Sequence, residues 1–170
     1  VTPVDIQAQK TSLIEKGEEG LGIAFITARE ADASKFQEAF KDGFDVVVAD
    51  VPCSGLGVIR KKPDIRYKDL APTERLPQVQ AAILENVSRY VRPGGAPLYS
   101  TCTALKRENE YVANAFLTRH PEFHLAAFTV LEGLGGQNGC MLTVYQHVPG
   151  AGGFFICQLM KHTLTKILTR

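Results

Sequence analysis

The sequence predicts an α/β fold: a mainly parallel sheet with helices on both faces, closed by an antiparallel hairpin. Three observations predict it. Apolar, β-prone runs alternate with stretches of helical periodicity, the pattern that builds parallel sheets through crossover helices. One run, "FDVVVAD" (44–50), is almost continuously apolar, as a strand buried on both faces should be. The last two β-prone runs, "CMLTVYQHV" (140–148) and "GFFICQLMK" (153–161), are separated by "PGAG", a loop short enough for a hairpin.

The elements follow in order. "VTPVDI" (1–6) is a short strand ending near Asp5, and "QAQKTSLIEKG" is a helix with Gly17 as its stop. "GIAFITA" (22–28) is a second strand. "SKFQEAFKDG" (34–43) is a short helix, with Ser34 as N-cap and Gly43 as stop. The strand at 44–50 opens into a long polar loop, 51–72. In "TERLPQVQAAILENVSRYV" (73–91), Leu76, Val79, Ile83, Val87 and Tyr90 recur at helical spacing; Thr73 can cap this helix and "RPGG" (92–95) stops it. "APLYSTC" (96–102) is a further strand. Pro97 lacks an N–H and belongs at its start. "KRENEYVANAFLTRH" (106–120) is a helix that turns Val112, Ala115 and Phe116 inward.

The 170 residues fit one domain, and 45% hydrophobic with 22% charged residues is ordinary for a globular protein. A chain this long buries roughly two-thirds of its unfolded surface. No apolar run approaches the ~18 residues of a membrane span, and no signal peptide is visible. The net charge of +1 does not mark a general polyanion binder. Charge is concentrated locally, however: Arg60, Lys61, Lys62, Arg66 and Lys68 stand against one acid, Asp64. Such a run is either a solvated loop or a surface that faces phosphates. Cys53, Cys102, Cys140 and Cys157 form no CxxC and no zinc spacing, so reduced thiols in a cytoplasmic protein and no metal are expected.

In parallel α/β sheets ligands bind beyond the carboxyl ends of the strands. Asp5 ends the first strand, Asp32 lies just after the second, Asp50 and Cys53 follow the third, and Cys102 ends the fourth. Three carboxylates and two thiols are thus expected along one edge. A free cysteine is usually a small core hydrophobe, which suits Cys140 and Cys157. A lone Asp after a strand is usually a turn former. Cys53 in "PCSG" and Cys102 in "STCT" differ, because they stand at strand-to-loop junctions among hydroxyls and glycines, where a thiol can be reactive. Neither G-x-G-x-x-G, nor G-x-x-x-x-G-K-[ST], nor G-x-S-x-G occurs. His120, His124, His147 and His162 have no partner spacing and read as surface or structural histidines.

"DVVVADVPCSGLGVIRKKPDIRYK" followed by "GGAPLYSTCTALKRENEYV" resembles the Sun-type RNA cytosine-5 methyltransferases, and the bacterial RsmB branch in particular, which methylates small-subunit ribosomal RNA. The resemblance runs from "VDIQAQK" to "GGFFICQLMK". It implies a Rossmann-like, S-adenosylmethionine-dependent methyltransferase fold and an RNA partner. It also implies roles: Cys102 as the nucleophile, Cys53 assisting product release, Asp50 beside the methionine end of the cofactor and the polar edge of the base, Asp5 on the ribose hydroxyls, Asp32 on the adenine amino group. The basic loop 60–68 would then meet RNA phosphates.

The chain also departs from that family. The glycine-rich cofactor loop after the first sheet strand is absent. The sequence is expected to be the C-terminal part of a catalytic domain, without that first strand and without the N-terminal RNA-binding part. Gly152 stands where family members commonly carry Asp before Gly-Phe-Phe. Two other readings remain open on sequence. DNA cytosine methyltransferases also use a Pro-Cys motif, but place the nucleophile there and need no second "TC" cysteine. An inert fragment that binds RNA weakly through 60–68 would bind no S-adenosylmethionine.

Overall fold

Residues 1–129, 139–147 and 152–163 are described by the structure, a computed structural model. The chain divides into two units, Val1–Gln37 and Glu38–Arg170.

The first unit is a small β–α–β arrangement: β1 (Val4–Asp5), α1 (Ala8–Leu21) and β2 (Arg29–Glu30). β1 and β2 are parallel, with Val4 opposite Arg29 and Asp5 opposite Glu30. Backbone bonds from Thr27 to Val1, Arg29 to Pro3 and Ala31 to Asp5 extend the pairing. The helix does not stop at Gly17. It continues to Gly22, whose φ of 66° lets its N–H reach back to the carbonyls of Glu18 and Glu19. The strand expected over 22–28 is corrected to the two residues of β2. The Ile26 N–H donates to the Glu18 carboxylate at 3.1 Å instead of joining a ladder. The helix expected at 34–43 is also corrected. Ser34 is not an N-cap: its N–H and hydroxyl both bond Asp32 Oδ1, which closes a local turn.

In the second unit the expected helix leaves a single 3-10 turn, Glu38–Phe40, followed by Asp42 in a left-handed conformation (φ 49°). The regular elements are β3 (Phe44–Asp50), α2 (Leu76–Tyr90), β4 (Val91–Thr101), α3 (Glu110–Arg119), β5 (Phe123–Leu125), β6 (Met141–Val144) and β7 (Phe154–Lys161). β3 and β4 are parallel, with Val46 opposite Ala96 and Asp50 opposite Ser100. β7 lies antiparallel to β4 on one side, and to β6 and then β5 on the other. The α/β class is as expected, and the sheet of this unit is mixed. The β6–β7 pairing is the predicted hairpin; most of its "PGAG" loop falls outside the described residues.

β3 is an edge strand of this sheet. The expectation that both its faces are buried is corrected: Ala49 is buried, but Val46 and Val48 are 52% and 65% exposed. The ladder with β4 becomes regular at Ala96, and Pro97 stands opposite Val47, one residue before pairing with β7 begins at Leu98. The helix faces shift slightly from the predicted stripes. α2 buries Ile83, Leu84, Val87 and Tyr90, and with them Gln80, while Val79 is exposed. α3 buries Val112, Ala113 and Phe116, so Ala113 takes the place expected of Ala115. Thr73 does not cap α2; its hydroxyl donates to the Leu70 carbonyl within a 3-10 turn. Tyr99 and Phe155, both fully buried, meet edge to face at 6.2 Å in the core.

Cys157 is a core side chain, as predicted, and burial pushes its thiol up to about 12. His120 stacks on Phe116 and lies between the carboxylates of Glu85 and Glu122. His124 stacks on His162 and His147 on Tyr145.

Candidate active site

β3 and β4 run parallel, so their carboxyl ends release two loops side by side. The ladder continues one step past β3, where Val51 N–H donates to the Ser100 carbonyl. Three residues past Asp50 stands Cys53, and directly after β4 stands Cys102. Their Cα atoms are 6.2 Å apart and the sulfurs are joined as a disulfide. The Cys102 N–H also points at Cys53 Sγ, at 3.1 Å. The expectation of four reduced thiols is thereby corrected: Cys140 and Cys157 are the free ones. Parallel pairing explains the meeting, because the one-to-one register Asp50–Ser100 carries both chains to the same height. Asp50 is exposed beside them and accepts a bond from the Ser100 hydroxyl at 3.3 Å.

The glycines of "PCSGLG" permit the approach. Gly55 turns the chain in the left-handed region (φ 75°). Gly57 N–H donates to the Cys102 carbonyl at 2.9 Å, and its own carbonyl receives Gly153 N–H at 2.6 Å. A Cβ on Gly57 would sit 2.7 Å from the Cys102 oxygen and closer still to Gly153. Backbone, unlike a side chain, cannot swing aside. Gly57→Ala should therefore cost about 1–3 kcal/mol, the usual penalty of forced overpacking, read as a lower urea midpoint at unchanged m-value.

Behind the cysteines lies a buried polar cluster that the sequence reading did not single out. Gln80 of α2 and Glu108 and Asn109, just before α3, are fully buried, together with Thr103. Glu108 Oε2 accepts from Ser54 N–H at 2.8 Å and from Gln80 Nε2 at 3.1 Å, and that same amide donates to the Pro52 carbonyl at 2.9 Å. Asn109 accepts from the Thr101 hydroxyl at 2.6 Å and donates to the Thr103 carbonyl at 3.0 Å. The Ser54 hydroxyl bonds Thr103 Oγ1 at 3.0 Å, linking the two loops directly. A signal was present in the sequence: Gln80 interrupts the apolar stripe of α2 four residues after Leu76 and three before Ile83.

Arg60, Lys61, Lys62, Arg66 and Lys68 are all exposed on the loop that leaves the Pro-Cys motif, and Tyr67 among them is 89% exposed. Arg60 reaches the Gln146 carbonyl at 3.3 Å.

Asp5 and Asp32 belong to the first unit, at the carboxyl end of β1 and two residues beyond β2. Asp5 takes the Gln7 N–H at 2.9 Å and the Lys10 ammonium at 3.2 Å. The Gln7 bond, with help from Lys10, holds its carboxyl below the usual range. The Ser34 hydroxyl and N–H do the same for Asp32. Both are thus ionised acceptors at neutral pH. Their partners do not use up the roughly four lone-pair sites of a carboxylate.

Among the described residues no group of three His, Cys, Asp or Glu side chains is placed to hold a metal ion, and no helix is long and apolar enough to cross a membrane.

The family model "16S rRNA methyltransferase RsmB/F" matches residues 1–160. The chain is 37% identical over 168 residues to the probable ribosomal RNA small subunit methyltransferase B of Bacillus subtilis (strain 168), covering 95% of this chain and 37% of that protein. It is 35% identical to ribosomal RNA small subunit methyltransferase B of Salmonella arizonae, covering 95% of this chain and 36% of that one. The chain therefore spans little over a third of the length of these relatives. Among solved structures, NSun6 from Pyrococcus horikoshii with SFG superposes with a TM-score of 0.72 at 24% identity, over 94% of this chain and 41% of that one. The shared fold is that of the Rossmann-like methyltransferases, and on the strength of the match over residues 1–160 the chain belongs to the 16S rRNA methyltransferase RsmB/F family.

Proposed function

We propose that this chain is the C-terminal part of a cytoplasmic catalytic domain that methylates carbon 5 of a cytosine in small-subunit ribosomal RNA, with S-adenosylmethionine as methyl donor. The observation that carries the reading is the meeting of Cys53 and Cys102 at the ends of two adjacent parallel strands. The relatives' description as ribosomal RNA methyltransferases supports the substrate class. The need for free thiolates supports a reducing compartment.

Carbon 5 of cytosine is a poor nucleophile. The Cys102 thiolate adds to carbon 6, forming an S–C6 bond and driving an electron pair through the ring toward N3, where a proton is taken up. Carbon 5 is then enamine-like. Asp50, exposed at the end of β3, would hold the proton-bearing ring nitrogen. S-adenosylmethionine supplies an electrophilic methyl group to carbon 5 when bound. Cys53 then assists release, in which carbon 5 loses its proton, the C5–C6 double bond re-forms, the S–C6 electron pair returns to Cys102 and N3 gives up the proton it took. As a disulfide neither sulfur is a nucleophile, so reduction precedes the chemistry.

Asp5 and Asp32 fit the cofactor by their donor set. Each is an ionised carboxylate with acceptor capacity left over, beyond a parallel strand. Asp5 would take the ribose hydroxyls and Asp32 the adenine amino group. The direct test is nucleoside analysis of RNA incubated with the reduced full-length enzyme and S-adenosylmethionine. 5-Methylcytidine is expected; methylation at another atom, or none, overturns the reading.

The basic loop is assigned to RNA phosphates. Its five cations are exposed, and among the described residues none is ion-paired with a carboxylate. Each phosphate neutralised on a single strand contributes about −0.7 to the slope of log affinity against log salt. Replacing Lys61 and Lys62 together by Ala should weaken RNA binding and flatten that slope by about 1.4 if each meets one phosphate. Cofactor affinity should not move. Titrations at three salt concentrations decide it, and equal slopes would leave the loop as solvated surface.

A further inference from the structure

We infer that Glu108 and Asn109 are positioning residues that fix the spacing of the two cysteines, each holding one of them. Glu108 governs Cys53. The peptide before Cys53 offers the Pro52 carbonyl to Gln80 Nε2, and the peptide after it offers the Ser54 N–H to Glu108 Oε2. Gln80 and Glu108 are themselves bonded, at 3.1 Å. Both peptide planes that define the Cys53 backbone are thus held by one buried pair. Asn109 braces the two neighbours of Cys102, accepting from the Thr101 hydroxyl on one side and donating to the Thr103 carbonyl on the other. Because Glu108 and Asn109 are consecutive, a single peptide bond sets the distance between the two grips. The Ser54–Thr103 hydroxyl bond closes the frame, and Tyr99 anchors it by donating to the Glu108 carbonyl at 2.5 Å.

The cost of this arrangement argues that it serves something other than stability. A buried carboxylate is expensive unless fully bonded. Yet among the described residues Glu108 Oε1 and Gln80 Oε1 have no hydrogen-bond partner. An apolar pair of similar volume would cost less, but could not hold the backbone on either side of Cys53.

The inference gives catalytic meaning to the two-cysteine reading above and rests on it only for that meaning. The test uses neither RNA nor cofactor. The Cys53–Cys102 pair reports its own juxtaposition through its equilibrium with glutathione: the dithiol reduces oxidised glutathione to two thiols as the disulfide forms, and the equilibrium constant is the effective molarity of one thiol toward the other. Glu108→Ala should lower that effective molarity about 10- to 100-fold, as expected of a displacement near 1 Å. Glu108→Gln keeps an oxygen for the Ser54 N–H and should stay within about threefold of wild type. Native alkylation of Cys157, fully buried in the core, should be as slow in both variants as in wild type.

An unchanged effective molarity in Glu108→Ala overturns the inference. So does a fall accompanied by faster Cys157 alkylation, which would mean general loosening. Should Glu108→Ala fail to fold, Gln80→Met decides. It removes the Pro52 grip with little change of volume and should lower the effective molarity about 3- to 10-fold; no change would sink the proposal. Absence of methylation would defeat the functional reading and leave this result standing, and the reverse also holds.

Discussion

Cys102→Ala should abolish methyl transfer, by about 10⁴-fold or more, with RNA and S-adenosylmethionine still bound. The effect is large because nothing else at the strand ends can replace the S–C6 bond. A hydroxyl in its place would not help, since its pKa keeps it protonated at neutral pH; Cys102→Ser should be as inactive as the alanine variant. Cys53 cannot substitute. The Pro52 carbonyl and Ser54 N–H hold its backbone in a separate loop, so its sulfur would approach carbon 6 from a different place. The barrier increase equivalent to 10⁴ is about 5 kcal/mol. Single-turnover transfer of labelled methyl to RNA measures it. Substantial residual methylation in Cys102→Ala would remove this residue from the role of nucleophile.

Much of the candidate site is legible in the sequence alone. The strand at 44–50, the helix within 73–91 and the pairing of the last two strands stand where the apolar runs put them, although Val46, Val48 and Val79 are exposed. Asp50, Cys53 and Cys102 follow from those strand ends. What periodicity could not show was set by single hydrogen bonds. Asp32 captures Ser34, so a helix that looked capped there does not form. Glu18 captures the Ile26 N–H, so a β-prone run stays out of the ladder. Gly22, in the left-handed region, is the stop that Gly17 was expected to be, and the helix runs five residues longer. Exposure of Val46 and Val48 depends on what lies over β3, which composition does not encode.

The buried cluster was hidden for another reason. In "KRENE" every side chain is polar, and as the first turn of the helix expected over 106–120 it reads as solvated; the helix in fact begins at Glu110. Only the tertiary fold reveals that Glu108 and Asn109 point inward. Gln80 was the visible clue, a polar residue at a core position. Such a residue is tolerated where its donors find partners, and here its amide N–H groups find the Pro52 carbonyl, in the loop that carries Cys53, and the Glu108 carboxylate.

Cys53→Ala should have the opposite signature: RNA and protein accumulate as a covalent complex. On the roles proposed above, attack needs Cys102 alone and proceeds. Release needs carbon 5 to lose its proton and the S–C6 bond to break, and the group that assists is gone. Loss of such proton-transfer assistance costs about 10²- to 10⁴-fold, enough to make release slower than attack. A second consequence follows from the disulfide. In the wild-type chain Cys102 is tied to Cys53, so adduct formation requires a reductant. Without Cys53 there is no partner to tie it, and Cys102 is available at once. Cys53→Ala should therefore trap RNA with or without dithiothreitol, whereas the wild-type enzyme turns over only with it. Denaturing gels of labelled RNA, run under both conditions, separate the cases. A trapped complex from Cys102→Ala in place of Cys53→Ala would exchange the two roles. Trapping by Cys53→Ala that still depended on reductant would mean that some thiol other than Cys53 masks the nucleophile, and the disulfide would then play no part in controlling access to it.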